Sequence, residues 1–326
     1  MSTSPNTRAL FKALTPYTTT LTDEALRRGI CVTLINPDPD LPVFDLSLGG
    51  HSVRCFNALT DQVGAATYHL VNNKRACNGW LRRARIPVPA QIPYDDTHPE
   101  AALDFLRDHA PVVVKPCMQW GGRGVSMGVR TPAELGAAVR FARRYESDVV
   151  VEETVPGDDL RVILVDGELA AAIRRHPASV IGDGTHTVLQ LIRRQNARRR
   201  KEDPSNVIPW NAETRRNLAE LGRSADDVPA AGESVRVRLT NNYHTGGTVD
   251  VVTGHVPPRA LALAQRVARD LRLPLVGVDF LIDRRRCTVI EVSPDMAISP
   301  PEGATVARRF LDYLFPCTAA ESPAAN

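Results

Sequence analysis

Residues 275–293 read LVGVDFLIDRRRCTVIEVS, and this stretch predicts two β-strands joined by a tight turn. The runs 275–283 and 287–293 are rich in apolar and β-branched residues, which favour strands, while three arginines between them suit an exposed turn. A three-residue turn at 284–286 fixes the cross-strand partners. These partners are Phe280 with Ile290, Val278 with Val292, and Asp279 with Glu291.

The facing carboxylates of Asp279 and Glu291 are the first candidate site. Side chains directly opposite in an antiparallel pair have Cβ atoms about 5 Å apart, so two carboxylates there should repel each other. A divalent cation would hold both, and carboxylate oxygens suit Mg²⁺ that is bound together with phosphate. The alternative is an exposed acidic pair that a neighbouring arginine neutralises.

A lysine followed by a glycine-rich loop forms a second candidate site. Lys115 ends a predicted strand that begins at Val112, and the loop 119–124 comes soon after it. Glycines let backbone N–H groups approach phosphate oxygens, and a lysine at a strand end offers a compact cation to the same group. Turns alone would also explain the glycines. The candidate phosphate contacts in this loop are Gly122, Arg123 and Gly124.

An acidic corner follows the next predicted strand, 148–153. Glu152 and Glu153 end that strand, Asp159 lies at the end of the following turn, and Arg161 opens the next strand. Such a corner could hydrogen-bond an adenine and a ribose. Acidic loop residues in contact with solvent are the alternative.

The rest of the pattern predicts an α/β protein with a small N-terminal α/β lobe. Strands at 30–36 and 52–57 are separated by the turn-rich segment Pro37–Asp40. Thr131, Pro132 and Glu134 predict the capped start of a helix that runs to about residue 145. The sequence further predicts a hairpin turn at 166–167 and a helix at 258–271.

Composition and charge exclude several classes of protein. The chain has 326 residues, of which 43% are hydrophobic and 24% charged, as in globular proteins rather than disordered or collagenous ones. Forty basic and 37 acidic residues give a net charge of +3, too small to indicate nucleic-acid binding by itself. Six scattered cysteines predict reduced thiols. Residues 1–10 lack a secretory signal pattern, so we expect a cytoplasmic protein.

The segment 177–239 is predicted to be irregular, rich in arginine and a candidate lid. Its basic run, 193–201, is open to three interpretations: a solvated surface, a site for anions, or a nucleic-acid contact. His176 and His244 are candidate substrate contacts, with ordinary surface or core positions as the alternative.

Several of these blocks, in this order, resemble the ATP-grasp superfamily, in particular the ATP-grasp domains of cyanophycin synthetase and bifunctional glutathione synthetases. The resemblance covers about residues 72–316. Further blocks that carry it are Val151–Glu153, Pro156–Gly157, Arg161–Val162, Arg174–Arg175, Gly182–Thr187, Asn242 with Thr245–Thr248, Gly277–Phe280 and Val289–Val292. The resemblance implies an ATP-grasp fold with a nucleotide cleft between two α/β lobes, and ATP and Mg²⁺ as cofactors.

The resemblance also implies roles for individual residues. Lys74 and Lys115 would hold ATP phosphates, with the glycine loop beside them. Glu152, with Glu153, would mark the adenine side of the cleft, and Asp159 would contact the ribose. The implied catalytic residues are Arg161, Arg174 and Asn242, and the implied metal ligands are Asp279, Glu291 and Ser293.

Ser293 is a departure from the family pattern, which has a metal-binding asparagine at that place. Asp295 is an alternative ligand. Cyanophycin synthetase and the bifunctional glutathione enzymes carry a second catalytic domain, for which 326 residues leave no room, so we do not expect a polymerising cyanophycin enzyme.

The predicted function is that of an ATP-dependent carboxylate-amine ligase. It would form an amide or peptide bond through an acyl phosphate, releasing ADP and phosphate, on an amino acid or small peptide, with lactam closure left open. We expect small-molecule carboxylate and amine partners, no membrane, no nucleic acid, and either a monomer or a homo-oligomer. The alternatives are a catalytically impaired ATP-binding module and a nucleic-acid binder. The expected parts are 1–86, an N-terminal lobe with a connecting helix; 87–160, a lid lobe; and 161–326, a C-terminal lobe with the insertion 177–239.

Overall fold

The computed structural model describes residues 16–36, 42–204, 206–295 and 300–319. The α-helices are α1 (Pro16–Arg27), α2 (Ala65–Asn72), α3 (Lys74–Arg83), α4 (Pro99–His109), α5 (Pro132–Ala142), α6 (Val188–Glu202), α7 (Ala212–Glu220), α8 (Pro258–Leu271) and α9 (Pro300–Leu314). The strands are β1 (Cys31–Asn36), β2 (Val43–Leu48), β3 (His51–Phe56), β4 (Leu59–Thr60), β5 (Gln91–Pro93), β6 (Val112–Pro116), β7 (Ser126–Val129), β8 (Val149–Glu153), β9 (Asp158–Val165), β10 (Glu168–His176), β11 (Ser179–Ile181), β12 (Ser234–Arg236), β13 (Thr248–Val251), β14 (Leu275–Ile282) and β15 (Cys287–Ser293). The expected α/β class is confirmed.

The N-terminal lobe is a four-stranded antiparallel sheet in the order β1-β2-β3-β4. Its buried residues, among them Phe44 and Leu46, share one core with α1 and with Phe310 of α9. Ile163 of β9 and Leu275 of β14 belong to the same core. The N-terminal sheet thus has no separate core, because its buried residues pack in one core with residues of α1, α9, β9 and β14.

A second four-stranded sheet, in the order β5-β8-β6-β7, packs against α4 and α5. Helix α5 starts where the sequence predicts, because Thr131 and Glu134 form a reciprocal capping box and Pro132 occupies the first turn. In the antiparallel register of β6 and β8, Val113 faces Glu152 and Lys115 faces Val150. The side chains of Lys115 and Glu152 therefore lie on the same face of this sheet.

The third sheet has five strands in the order β13-β10-β9-β14-β15, all antiparallel. Helix α8 covers one of its faces, and Val162, Val278 and Phe280 are buried beneath it. The sequence bounds of α8 and β15 are confirmed without change.

The prediction of an irregular segment at 177–239 is wrong. The segment contains α6, α7 and the paired strands β11 and β12, around a small core that includes Ile192, Ile208 and Leu218. Helix α6 begins with a capping box between Thr187 and Gln190. This capping box can be recognised in the sequence, but the many arginines of α6 interrupt the helical spacing of its apolar residues, so the sequence pattern does not predict a helix.

Strand β2 is an element that the sequence pattern does not predict. The turn at Pro37–Asp40 and the N-terminal residues 1–10 lie outside the described residues. Across the described parts of the chain, no helix has the length and apolar character that a membrane span requires.

Candidate functional site

One cleft brings together four charged side chains from four elements. Lys74 opens α3, Lys115 lies near the end of β6, Glu152 lies on β8, and Glu291 lies on β15. The remaining walls are mostly apolar and are formed by residues of α3 and β15, by Val71 of α2 and by Val88. Two lysines and two carboxylates therefore meet where the second and third sheets face each other.

Lys115 and Glu152 form a buried ion pair. The Lys115 Nζ lies 2.7 Å from Glu152 Oε1, and both side chains are at most 10% exposed. Glu152 Oε2 accepts a second hydrogen bond, 2.9 Å long, from Gln91 Nε2. Because β6 and β8 are neighbouring strands, the sheet itself fixes this pair at the cleft.

Lys74 connects the metal candidate to the glycine loop. Its Nζ lies 3.2 Å from Glu291 Oε1 and donates a 2.6 Å hydrogen bond to the Gln119 carbonyl. A cation in the first turn of a helix opposes the helix dipole, so Glu291 compensates for an unfavourable position. Burial tends to raise the pKa of Glu291, but Lys74 and more distant cations outweigh burial and hold that pKa below its usual value.

The glycine loop needs its glycines. Gly121, Gly122 and Gly124 have φ angles of 67°, 74° and 72°, in the left-handed region that side chains disfavour. A Cβ on Gly122 would lie 3.8 Å from Asn242 Nδ2, so the predicted catalytic asparagine stands beside this loop. The Arg123 guanidinium lies 5.7 Å from the centre of the Trp120 ring.

Asp279 and Glu291 face each other, as the hairpin argument predicts, and so do Val278 and Val292. The predicted partner of Phe280 is wrong: Phe280 faces Val289, because Ile290 is an extra residue in β15. The loop between the strands consequently has four residues instead of three.

Arginines relieve the repulsion between the two carboxylates. Arg161 contacts both Asp279 oxygens, at 2.6 and 2.9 Å, and Arg175 contacts Asp279 Oδ2 at 2.9 Å. Burial tends to raise the pKa of Asp279, but these two guanidinium groups outweigh it and hold the pKa far below its usual value. The sequence left open a second interpretation, in which a neighbouring arginine neutralises an exposed acidic pair. Arginines do neutralise Asp279 here, but Asp279 is buried instead of exposed.

Asp159 belongs to the same network. Arg175 Nε lies 2.7 Å from Asp159 Oδ1, and Asn241 Nδ2 donates to Asp159 Oδ2 at 3.2 Å. Burial raises the pKa of Asp159 in spite of the neighbouring Arg175. Its carboxylate is therefore already engaged within the protein, which leaves the ribose contact implied by resemblance as a proposal.

Arg175 belongs to this charged network, whereas the resemblance implies a catalytic role for its neighbour Arg174. Arg174 is exposed and pairs with Leu160, whereas Arg175 pairs with Asp159 and reaches Asp279. A regular hairpin around residues 166–167 would set Arg174 opposite Asp159. Ala170 is an extra residue in β10 and shifts the register by one residue. Arg175 therefore lies opposite Asp159.

The other sequence candidates lie at the periphery. Glu153 accepts a 3.0 Å hydrogen bond from the Ala90 amide. His176 pairs with Asp250 at 2.8 Å in an exposed position, and His244 is also exposed. None of these three side chains lines the cleft described above.

The residues fit Mg²⁺ in part. Glu291 is 37% exposed in the cleft, and Lys74 is the only ion-pair partner that the described residues give it. Asp279 can coordinate an ion only if one of its contacts with Arg161 or Arg175 is replaced by a contact with the ion. The described residues contain no cluster of three or more His, Cys, Asp or Glu side chains arranged for a metal. Since Mg²⁺ is commonly held by one or two carboxylates plus phosphates, Glu291 with Asp279 suffices chemically.

Ser293 faces Gly277 in the register of β14 and β15. Asp295, the alternative ligand, contacts the N-terminal lobe, where it accepts a hydrogen bond from the Ala58 amide. Burial raises the pKa of Asp295 to about 7. Asp295 is thus engaged away from the Lys74–Glu291 pair.

We expect Asp295→Asn to remove a pH dependence of stability. The folded protein binds this proton more tightly than the unfolded chain, so the contribution to stability is complete below the unfolded pKa near 4. It is lost as the pH rises to about 7, at about 1.4 kcal/mol per pH unit. Thermal unfolding between pH 4 and 8 should show the variant gaining stability relative to wild type as the pH rises. Exposed Asp108→Asn is the control, and parallel curves for wild type and Asp295→Asn would contradict the assignment.

Comparison with known proteins gives a family match over most of this region. Residues 71–297 match the family model described as ATP-grasp domain. Cyanophycin synthetase of Synechocystis sp. is 31% identical over 325 residues, covering 93% of this chain and 37% of the relative. A bifunctional glutathione biosynthesis protein of Streptococcus thermophilus is 30% identical, covering 75% of this chain and 35% of the relative. The chain spans about a third of the length of these curated relatives.

Solved structures support the fold. The bifunctional glutathione synthetase of Pasteurella multocida superposes with a TM-score of 0.63 at 23% identity, over 94% of this chain and 44% of that one. A D-alanine–D-alanine ligase of Bacillus anthracis gives a TM-score of 0.50 at 14% identity, over 77% of this chain and 70% of that one. The expected fold is therefore confirmed, and the cleft described above lies in a fold shared with both.

Proposed function

The chain belongs to the ATP-grasp family, whose cofactors are ATP and Mg²⁺, and from this premise we propose that it is an ATP-dependent carboxylate-amine ligase. The product would be an amide or peptide bond, formed through an acyl phosphate with release of ADP and phosphate. The curated relatives supply the type of reaction, and the cleft supplies residues that can carry it out.

The observation that carries the proposal is the meeting of Lys74, Lys115 and Glu291 in one cleft. Two lysines supply compact charges for phosphate oxygens, and the left-handed glycines of the loop leave room for a phosphate beside the backbone. Lys74 links the two parts, because it contacts both Glu291 and the loop carbonyl of Gln119. Gly122, Arg123 and Gly124 complete the proposed phosphate contacts, with Glu152, Glu153 and Asp159 on the nucleoside side.

The proposed chemistry has two steps. A carboxylate oxygen of the substrate attacks the γ-phosphorus of ATP, and ADP leaves. The amine then attacks the acyl carbon, phosphate leaves, and the amine gives up a proton. Arg161 would stabilise the charge that develops on the acyl phosphate, with Asn242 beside the glycine loop and Arg175 holding Asp279 in position.

Asp279, Glu291 and Ser293 are the proposed Mg²⁺ ligands. The ion would neutralise phosphate charge and orient the phosphates. The protein's own part is to keep Glu291 ionised. The neighbouring Lys74 does this by holding the pKa of Glu291 below its usual value, against the effect of burial.

An amino acid or small peptide is the proposed substrate, and closure of a lactam within one molecule is included. The division into parts 1–86, 87–160 and 161–326 and a cytoplasmic location stay predictions from sequence. A catalytically impaired ATP-binding module is the second candidate, favoured by Ser293 and by the two arginines that occupy Asp279.

A phosphate-release screen tests the proposal. Purified protein with Mg²⁺ and ATP is incubated with pools of amino acids and dipeptides, and phosphate is measured against the Glu291→Gln variant. We expect at least one pool to stimulate release in the wild type alone. Nucleotide binding with no stimulation by any pool would favour the impaired module.

A further inference from the structure

Helix α6 carries an unbalanced positive charge. Of its fifteen residues six are basic, and the only acid is the last residue, Glu202. Solvated helices usually alternate charges of both signs, and like charges three or four residues apart destabilise a helix. Such repulsion disappears when an anion covers the face, so the composition of α6 suits a surface that binds anions.

The basic side chains divide into engaged and available ones. Arg199 is buried and bonded to Asn206, and Arg194 pairs with Asp183. The exposed residues that form no ion pair with any described residue are Arg193, Arg198, Arg200 and Lys201. These four residues are called the α6 basic face.

The segment directly after α6 contacts the loop 241–247. Asp203, directly after α6, accepts a 2.9 Å hydrogen bond from the Tyr243 hydroxyl, and Asn206 Nδ2 donates to the Gly247 carbonyl at 3.3 Å. The loop 241–247 also carries Asn241, which binds Asp159, and Asn242, which stands beside the glycine loop. One loop therefore joins the basic helix to the proposed catalytic network.

The charges of the catalytic network itself are balanced. Four cations, Lys74, Lys115, Arg161 and Arg175, face four carboxylates, and every cation has a carboxylate partner within 3.2 Å. The excess positive charge therefore lies outside this network, on α6, which the loop 241–247 joins to it.

We propose that the α6 basic face binds an acidic segment of a peptide substrate, so that this ligase acts on a peptide bearing several carboxylates. The inference rests on the proposed ligase function. It names the substrate class and places the recognition outside the cleft, on Arg193, Arg198, Arg200 and Lys201.

A peptide fits better than a nucleic acid for a structural reason. Single-stranded nucleic acids are held by aromatic side chains that stack on bases, interleaved with basic ones. Helix α6 contains no aromatic residue. A peptide also offers the carboxylate or amine that an amide-forming enzyme needs.

The test measures binding of a fluorescein-labelled hexaglutamate peptide to the full chain by anisotropy, without nucleotide. Reversing three charges, Arg193→Glu/Arg198→Glu/Lys201→Glu, should weaken binding by about tenfold or more, because each surface contact contributes up to about 1 kcal/mol. The matched control is Arg27→Glu/Arg308→Glu/Arg309→Glu, three exposed arginines on α1 and α9. Circular dichroism verifies folding, and the corresponding glutamine variant replaces the first if it does not fold.

Each outcome bears on the inference. Loss of peptide binding in the α6 variant alone, with its fold and its affinity for ATP unchanged, supports it. Equal loss in the control variant, or none in the α6 variant, overturns it. Tighter, α6-dependent binding of an oligonucleotide of equal charge also overturns it and assigns the face to nucleic acid. Because the peptide assay contains no ATP, failure of the ligase proposal would appear separately, in the phosphate assay.

Discussion

Lys115→Met should lower the affinity for ATP by about tenfold to 100-fold, because a charged hydrogen bond to phosphate is worth about 1.5–3 kcal/mol. The same change leaves Glu152 buried with only Gln91 as a hydrogen-bond partner among the described residues. Breaking a buried ion pair on one side costs about 3–5 kcal/mol, so the melting temperature should fall as well.

The double variant Lys115→Met/Glu152→Gln separates the two effects. Removing both charges leaves no unpaired buried ion, so most of the stability should return. Nucleotide affinity should stay low, because the phosphate still lacks its cation. Titration calorimetry with ATP and thermal melts measure the two quantities. Recovery of ATP affinity together with stability would show that Lys115 acts only through folding.

Arg175→Ala should reduce substrate-stimulated phosphate release by about 100-fold or more, whereas Arg174→Ala should change it by less than about threefold. Arg175 is a positioning residue, and a small displacement of the groups that it holds in place is enough to reduce a rate by this factor. Arg175 bridges Asp159 and Asp279, so its loss exposes two buried carboxylates to repulsion, while Arg174 lies exposed on the other side of β10.

The adjacent arginines form a matched pair on one strand. Thermal melts control for the stability lost with the buried ion pair between Arg175 and Asp159. The variant Arg175→Lys keeps the positive charge but cannot contact Asp159 and Asp279 at once as a guanidinium does, so its rate should be intermediate. A large loss in Arg174→Ala with a normal rate in Arg175→Ala would reverse the assignment and restore the choice made from sequence.

The elements that sequence predicts well depend on local signals. Helix α5 follows from Thr131 and Glu134, and the existence of the hairpin β14–β15 follows from two apolar, β-branched runs joined by a short polar turn. Such signals lie within a few residues of the feature they specify. The two carboxylates face each other as predicted because the extra residue Ile290 offsets the fourth residue of the turn.

The errors arise from single residues and from tertiary contacts. Ala170 is one extra residue in β10, which no apolar periodicity reveals, and it shifts by one the partner of every later residue of β10. Ile290 is one extra residue in β15, and it offsets the longer turn, so that Glu291 and the residues after it keep their predicted partners. The extra Ala170 sets Arg175 instead of Arg174 opposite Asp159, while the catalytic role of Arg174 stays a prediction. The contact of Asp295 with Ala58 joins residues far apart in sequence, and local patterns carry no information about it.

The identity of the nucleotide product tests the central claim most directly. The wild-type protein is supplied with ATP, Mg²⁺ and the amino acid or peptide found in the screen, and the spent nucleotide is separated by chromatography while amide product is counted by mass spectrometry. The account predicts one ADP and one phosphate for each amide formed, and none of them with Glu291→Gln. AMP and pyrophosphate in equal amount to the amide would contradict it, because they require attack at the α-phosphorus instead of an acyl phosphate.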